Sequence, residues 1–188
     1  MRRRWVAAML TIIAPERLVF LDESSCSTAM AREYGWARVG ERAIGTRPGR
    51  TWKTLTLVGA IRLGRKPQLM THRGPITGKV FLRYVRRRLA PWLKPGDCVV
   101  LDNLGAHKVR GVQDAIEAVG AFVLYLPAYS PEMNPIELWW SHLKNKLRRI
   151  GARTADELAR AARRLRSETD LEHLTAWFQH CLDFNHVK

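Results

Sequence analysis

Two short runs in this sequence are apolar without interruption, and each ends on an aspartate. Leu18-Val19-Phe20-Leu21 runs into Asp22, and Cys98-Val99-Val100-Leu101 runs into Asp102. A strand covered on one face alternates apolar with polar residues, whereas an unbroken run marks a central strand buried on both faces. Burying both faces of a sheet takes helices, which points to the α/β class. In one of the two sheet orders that the elements below allow, the two strands lie side by side and parallel. Their carboxyl ends would then bring Asp22 and Asp102 to the edge where open α/β sheets bind ligands.

The rest of the chain supplies the other layers. Residues 29–50 are polar and rich in Gly and Arg, which reads as loop and edge structure. Residues 51–63 are β-rich, Gly64-Arg65-Lys66-Pro67 is a turn, and residues 68–72 return as the second arm of a hairpin. Thr77 caps a helix with an apolar stripe of Phe81, Leu82, Val85 and Leu89 and an opposite face of Lys79, Arg83, Arg86 and Arg87. Pro91 and Pro95-Gly96 end it. A helix over about residues 109–119, stopped by Gly120, and a short strand over residues 121–126 follow the second apolar run. The order strand, hairpin, helix, strand, helix, strand, helix fits a ribonuclease-H-like fold, a mixed five-stranded sheet flanked by helices. An open α/β sheet of another order is the alternative.

A third acid arrives on a helix. In Tyr129-Ser130-Pro131-Glu132-Met133-Asn134-Pro135-Ile136-Glu137 a loop turns into a helix whose apolar stripe is Ile136, Trp139, Trp140, Leu143, Leu147 and Ile150. Glu137 stands in its first turn, on one stripe with Ser141, Lys144 and Arg148. Three clustered carboxylates raise one another's pKa unless a cation sits among them, and Mg²⁺ takes such hard oxygen ligands. Two such ions about 4 Å apart can activate an attacking oxygen and stabilise a leaving one. Asn134, Pro135 and Glu137 also fit N-cap, N1 and N3 of a capping box, which would claim the same carboxylate for a structural purpose. Asp22 and Asp102 have their own bland reading, as strand-ending residues that start turns.

Charge narrows the partner. The formal net charge is +15 over 188 residues, an excess of bases that favours polyanions. Between Lys144 and Arg166 nine Lys or Arg face two Asp or Glu, a candidate DNA-facing surface. Asn103, His107 and Lys108 follow the second aspartate. Asn103 could orient Asp102 or bond phosphate, and His107 and Lys108 could contact DNA, with capping or packing as the rival role for His107. Trp36, Trp52 and Trp92 are either base-stacking or core residues. Cys26, Cys98 and Cys181 show no metal-ligand or disulfide spacing, which fits a reducing cytoplasm. Arg2-Arg3-Arg4 before an apolar stretch looks like a targeting segment but is too short to span a bilayer, so no membrane role is expected. Gly151 ends the Glu137 helix. Thr154-Ala155-Asp156-Glu157 and Thr169-Asp170-Leu171-Glu172 read as capping boxes that start two more helices.

Several stretches, taken in order, carry a family resemblance: Leu21-Asp22-Glu23, Pro95-Gly96-Asp97, Val100-Leu101-Asp102-Asn103, Ala106-His107-Lys108, Leu126-Pro127 and the Tyr129–Glu137 loop. Across residues 15–182 the chain resembles the catalytic domain of a bacterial insertion-sequence transposase of the mariner-related DDE superfamily. The 34 residues between Asp102 and Glu137 match that superfamily's spacing of second and third acids. The resemblance implies a ribonuclease-H-like fold and Asp22, Asp102 and Glu137 as catalytic, metal-binding acids. It implies Mg²⁺ or Mn²⁺, cleavage at transposon ends, and strand transfer into a TA target by a homodimer on bacterial, nucleoid-associated DNA. Asn103, His107, Lys108, Lys144 and Arg148 are the expected nucleic-acid contacts. Residues 1–16 are expected as a linker remnant or leading helix, 17–150 as the catalytic domain, and 151–188 as a helical extension. A helix-turn-helix partner from an upstream frame would then supply end recognition. An idle DNA-binding remnant and a nuclease without strand transfer are the competing functions.

Overall fold

The computed structural model describes residues 2–32, 34–45, 52–128 and 130–182. Met1, Glu33, residues 46–51, Tyr129 and residues 183–188, which belong to stretches read above, lie outside the described residues. Among the described residues five strands form one sheet: β1 (Leu18–Ser27), β2 (Thr54–Arg62), β3 (Arg65–Arg73), β4 (Cys98–Leu101) and β5 (Phe122–Tyr125), in the order β3-β2-β1-β4-β5. β1, β4 and β5 are parallel, while β2 runs antiparallel to both β1 and β3. Among the described residues six α-helices accompany the sheet: α1 (Arg2–Ile12), α2 (Gly78–Tyr84), α3 (Val112–Glu117), α4 (Pro135–Ile150), α5 (Ala155–Ser167) and α6 (Leu171–Leu182).

The unbroken apolar runs are central because alternate residues serve two different cores. Leu18 and Phe20 of β1, with Cys98 and Val100 of β4, face the core that also takes Val6 and Leu10 of α1 and the buried faces of α4, α5 and α6. Val19 and Leu21, with Val99 and Leu101, face the core built on Phe81, Tyr84, Val112 and Ile116 of α2 and α3. Asp22 has the parity of Leu18 and Phe20, so it points to the side that α4 covers.

Several boundaries differ from the sequence reading. β1 does not stop at Asp22; it continues through the Ser-rich stretch, paired to β2 from Phe20↔Ile61 to Ser27↔Thr54. Its partnership with β4 ends at Leu21↔Leu101, so Asp22 sits where one neighbour leaves and the other stays. The hairpin turn is Leu63-Gly64, with Gly64 at φ 71, and Arg65 to Pro67 already belong to β3. α2 loosens into a π turn, Val85–Leu89, and a 3-10 turn, Ala90–Trp92. Gly105–Lys108 is a separate 3-10 turn, Val109 is extended and Gly111 has φ 95, so the helix expected over residues 109–119 is shortened to α3.

The C-terminal caps split. Thr154 and Glu157 form the expected capping box. At α6 the cap is Asp170, whose Oδ1 accepts from the Glu172 N–H at 2.9 Å. Thr169 is buried, and its hydroxyl instead accepts from Trp139 Nε1 and donates to the Leu165 carbonyl. A buried indole N–H needs an acceptor, and that demand outranks a helix cap. Of the α4 stripe, Ile136, Trp139, Trp140, Leu143 and Leu147 are buried, whereas Ile150 at the helix end is 40% exposed. No helix among the described residues is long and apolar enough to cross a membrane.

Candidate active site

Asp22, Asp102 and Glu137 line one cavity of about 420 Å³, together with Asn103, Leu126, Pro127, Ser130 and Asn134. Asp22 lies within β1 where its pairing with β4 stops, Asp102 follows the last residue of β4, and α4 supplies Glu137 to the same cavity. Burial, and then the charges of Glu137 and Asp102, push Asp22 up to about 7 against the hydrogen bonds that lower it. Among the described residues no three His, Cys, Asp or Glu side chains are gathered closely enough to hold an ion as they stand. The donor set itself fits a hard divalent cation: three carboxylates face one cavity, and their mutual repulsion is what a cation removes. Three buried polar atoms on the same wall, Asn103 Oδ1, Ser130 Oγ and Asn134 Oδ1, have no protein partner and can hydrogen-bond a ligand there.

Each acid is held differently. Trp140 Nε1 donates to Asp22 Oδ2 at 3.1 Å. Asp102 Oδ1 accepts from the Leu104 N–H at 3.1 Å, and His107 Nδ1 lies 2.5 Å from the same oxygen. Burial raises the Asp102 carboxyl, but His107 and the Leu104 N–H outweigh it and bring it below the ordinary range. Burial lowers His107, but Asp102 and Glu23 outweigh that and push it up to about 9. Glu137 is exposed, and Asn134 makes no side-chain cap hydrogen bond at the start of α4. The capping-box role for Glu137 is therefore not realised, and its carboxylate is left to the cavity.

The expected nucleic-acid contacts are not gathered in one place. Asn103 lies in the cavity wall. Lys108 is exposed, with Nζ 5.9 Å from the Tyr125 ring centroid. Lys144 and Arg148 are half-buried on α4, and Arg148 donates to Asn145 Oδ1 at 2.9 Å. His107 has no exposed surface; it lies against Phe81 with its nitrogens toward Asp102 and Glu23. Trp36 and Trp52 are exposed, and Trp92 packs beneath Arg62.

Two contributors were not legible as site residues. Trp140 reads in the sequence as one more core position. Gly59, opposite Asp22 in the β1–β2 register, leaves room for it: a Cβ there would lie 2.5 Å from Trp140 and 2.6 Å from Trp139. An isolated Gly inside a strand pattern was the available signal, since it marks a close approach. Gly59→Ala is expected to cost about 1–3 kcal/mol through overpacking. It should also shift the indole that holds Asp22. Urea denaturation reads the first effect and the rate of metal-dependent nicking the second; unchanged values of both would mean that Trp140 is not tightly seated.

Residues 17–159 match the DDE superfamily endonuclease family. The chain belongs to that family. No curated protein matches it by sequence. Among solved structures, the fold is similar to the Mos1 transposase paired-end complex with left transposon end, with a TM-score of 0.74 and 18% identity over 97% of this chain and 58% of that one. It is also similar to the Mos1 mariner paired end complex with Mn, at TM-score 0.71 and 18% identity over 97% of this chain and 59% of that one. The isolated catalytic domain of Mos1 mariner transposase superposes with TM-score 0.60 and 15% identity, over 97% of this chain and 87% of that domain. This chain thus spans about 58% of the length of the transposase in the paired-end complex. Likeness at this identity concerns the fold, a ribonuclease-H-like mixed sheet with flanking helices, as expected from the element order.

Proposed function

We propose that this DDE endonuclease chain is the catalytic part of a transposase, which cleaves DNA at the ends of an insertion sequence and joins the freed ends to a target. The observation that carries this reading is the single cavity shared by Asp22, Asp102 and Glu137. In it the three carboxylates would hold Mg²⁺ or Mn²⁺, as a pair of ions. Bound there, divalent cations supply an activated oxygen nucleophile and charge stabilisation for the leaving oxygen.

The chain's own residues do the rest. Trp140 and His107 hold Asp22 and Asp102, the two aspartates that line the cavity. Asn103, Ser130 and Asn134 offer hydrogen bonds to the substrate or to ordered water there. Lys144 and Arg148 lie on the Glu137 stripe of α4, and exposed Lys79, Arg83, Arg86 and Arg87 add positive charge on the α2 side. These supply the sequence-independent attraction to phosphates. A separate helix-turn-helix protein would supply end recognition, a TA step is the expected target, and a homodimer would hold two ends in the bacterial cytoplasm. Residues 17–150 would be the catalytic domain, with 151–188 as its helical extension.

Incubating the protein with insertion-sequence end DNA and Mn²⁺ tests this. Expected are 3′-hydroxyl nicks at the ends, then joined products with target plasmid. Nicking without any joining would favour a nuclease, and DNA binding without nicking would favour an idle remnant.

A further inference from the structure

Asp102 receives both of its protein contacts on one oxygen. The Leu104 N–H donates to Oδ1 at 3.1 Å, and His107 Nδ1 lies 2.5 Å from that same Oδ1. Oδ2 has no partner among the described residues, and the side chain, 35% exposed, lines the cavity. A carboxylate oxygen that already faces two donors has little lone-pair capacity left, whereas its neighbour keeps its own.

His107 is itself held on three sides. It has no exposed surface, and its ring centroid is 4.4 Å from that of Phe81. Its Nε2 lies 3.5 Å from Glu23 Oε1, one residue beyond Asp22 on β1. Both nitrogen contacts are at ion-pair distance rather than in linear hydrogen-bond geometry. A slot that needed only filling would take Phe or Leu, with no polar atoms to satisfy. Here each nitrogen meets a carboxylate, and either charge state of the ring can carry the proton on Nδ1.

We propose that His107 is a positioning residue that occupies Asp102 Oδ1 and so makes Asp102 a one-oxygen ligand, through Oδ2, for the divalent cation. This rests on the three-acid reading above. The consequence is ion choice. Mg²⁺ demands near-octahedral geometry at short distance, whereas Ca²⁺ readily accepts both oxygens of one carboxylate. A carboxylate with one oxygen tied back favours the smaller ion, and the group tying it back orients the ligand. Glu23 in turn holds the imidazole, so the stretch after Asp22 on β1 helps aim the acid that follows β4.

Calorimetric titration of Mg²⁺ and Ca²⁺ into metal-free wild type, His107→Ala, His107→Asn and Asp102→Asn tests it. Mg²⁺ affinity is expected to fall about 10–100-fold in His107→Ala, the usual cost of losing such an outer partner. Ca²⁺ affinity should fall less, and His107→Asn, whose amide N–H can reach the same oxygen, should regain most of the Mg²⁺ affinity. Equal Mg²⁺ affinity in wild type and His107→Ala overturns the role of His107 while the three-acid site stands, and an equal fall for both ions overturns the ion choice. Wild type that binds no Mg²⁺ sensitive to Asp102→Asn overturns the site reading instead. Should His107→Ala fail to fold, the wild type decides by NMR: the Nδ1 proton that faces Asp102 should stay protected from exchange through Mg²⁺ saturation, and its loss overturns the proposal.

Discussion

Glu137→Gln is expected to lower metal-dependent DNA nicking by about 10³-fold or more, on the order of 4 kcal/mol of transition-state stabilisation. Its unfolding free energy should stay within about 0.5 kcal/mol of wild type, as for most exposed substitutions. The two halves belong together. Glu137 is exposed in the first turn of α4, and Asn134 caps that helix without a side-chain hydrogen bond, so the carboxylate has no capping work to lose. Gln keeps the size and the hydrogen-bonding capacity and removes only the charge that a cation would bind. Nicking assays with Mn²⁺ and urea melts on the same preparations read both halves. A Gln variant that nicks within about tenfold of wild type would sink the three-acid site, since tenfold is only about 1.4 kcal/mol.

Asp22→Asn should abolish nicking and yet make the metal-free protein more stable at pH 8. Asp22 is 6% exposed, and burial with the neighbouring acids raises its folded-state pKa from 3.8 to about 7. The folded state then holds the proton more tightly than the unfolded chain does. Its contribution to stability is fully present below about pH 4 and is lost as the pH rises through 7. By pH 8 the ionised, buried carboxylate costs on the order of 2–4 kcal/mol, which Asn does not incur. His107, raised to about 9, contributes stability that is lost in the same direction from its ordinary value upward. The comparison must therefore be wild type against Asp22→Asn, not one pH against another. Denaturant titrations from pH 5 to 8 should show the two proteins diverging as the pH rises, with Mg²⁺ restoring wild type and not the variant. Parallel curves would mean that Asp22 ionises as freely in the folded protein as in the unfolded chain.

Local pattern determined a good deal of this protein. The unbroken runs ending at Asp22 and Asp102 announced two central strands, because only a strand covered on both faces needs to be apolar on both, and the order of elements suggested that they lie side by side. The 3.6-residue stripe from Ile136 to Leu147 announced the buried face of α4, and with it the side on which Glu137 would not lie. Those signals are properties of single elements, so a sequence carries them.

Contacts between elements were decided by the tertiary structure alone. The Ser-rich stretch after Asp22 has small, polar side chains that carry no strand signal, yet pairing with β2 satisfies its backbone and extends β1 to Ser27. Thr169 looked like a cap until the Trp139 indole needed its hydroxyl. His107 looked like a group that could reach DNA, but the packing of the Gly105–Lys108 turn against α2 puts it inside, between Asp102 and Glu23. Gly59 and Trp140 gained their connection to Asp22 only when β2 and α4 met it from different sides. Which residue meets which across such distances depends on how the layers pack, and no periodicity within one element records that. The sequence by itself determined where the carboxylates come from, whereas the packing of the helices on the sheet decided what holds each one and which oxygen it keeps free.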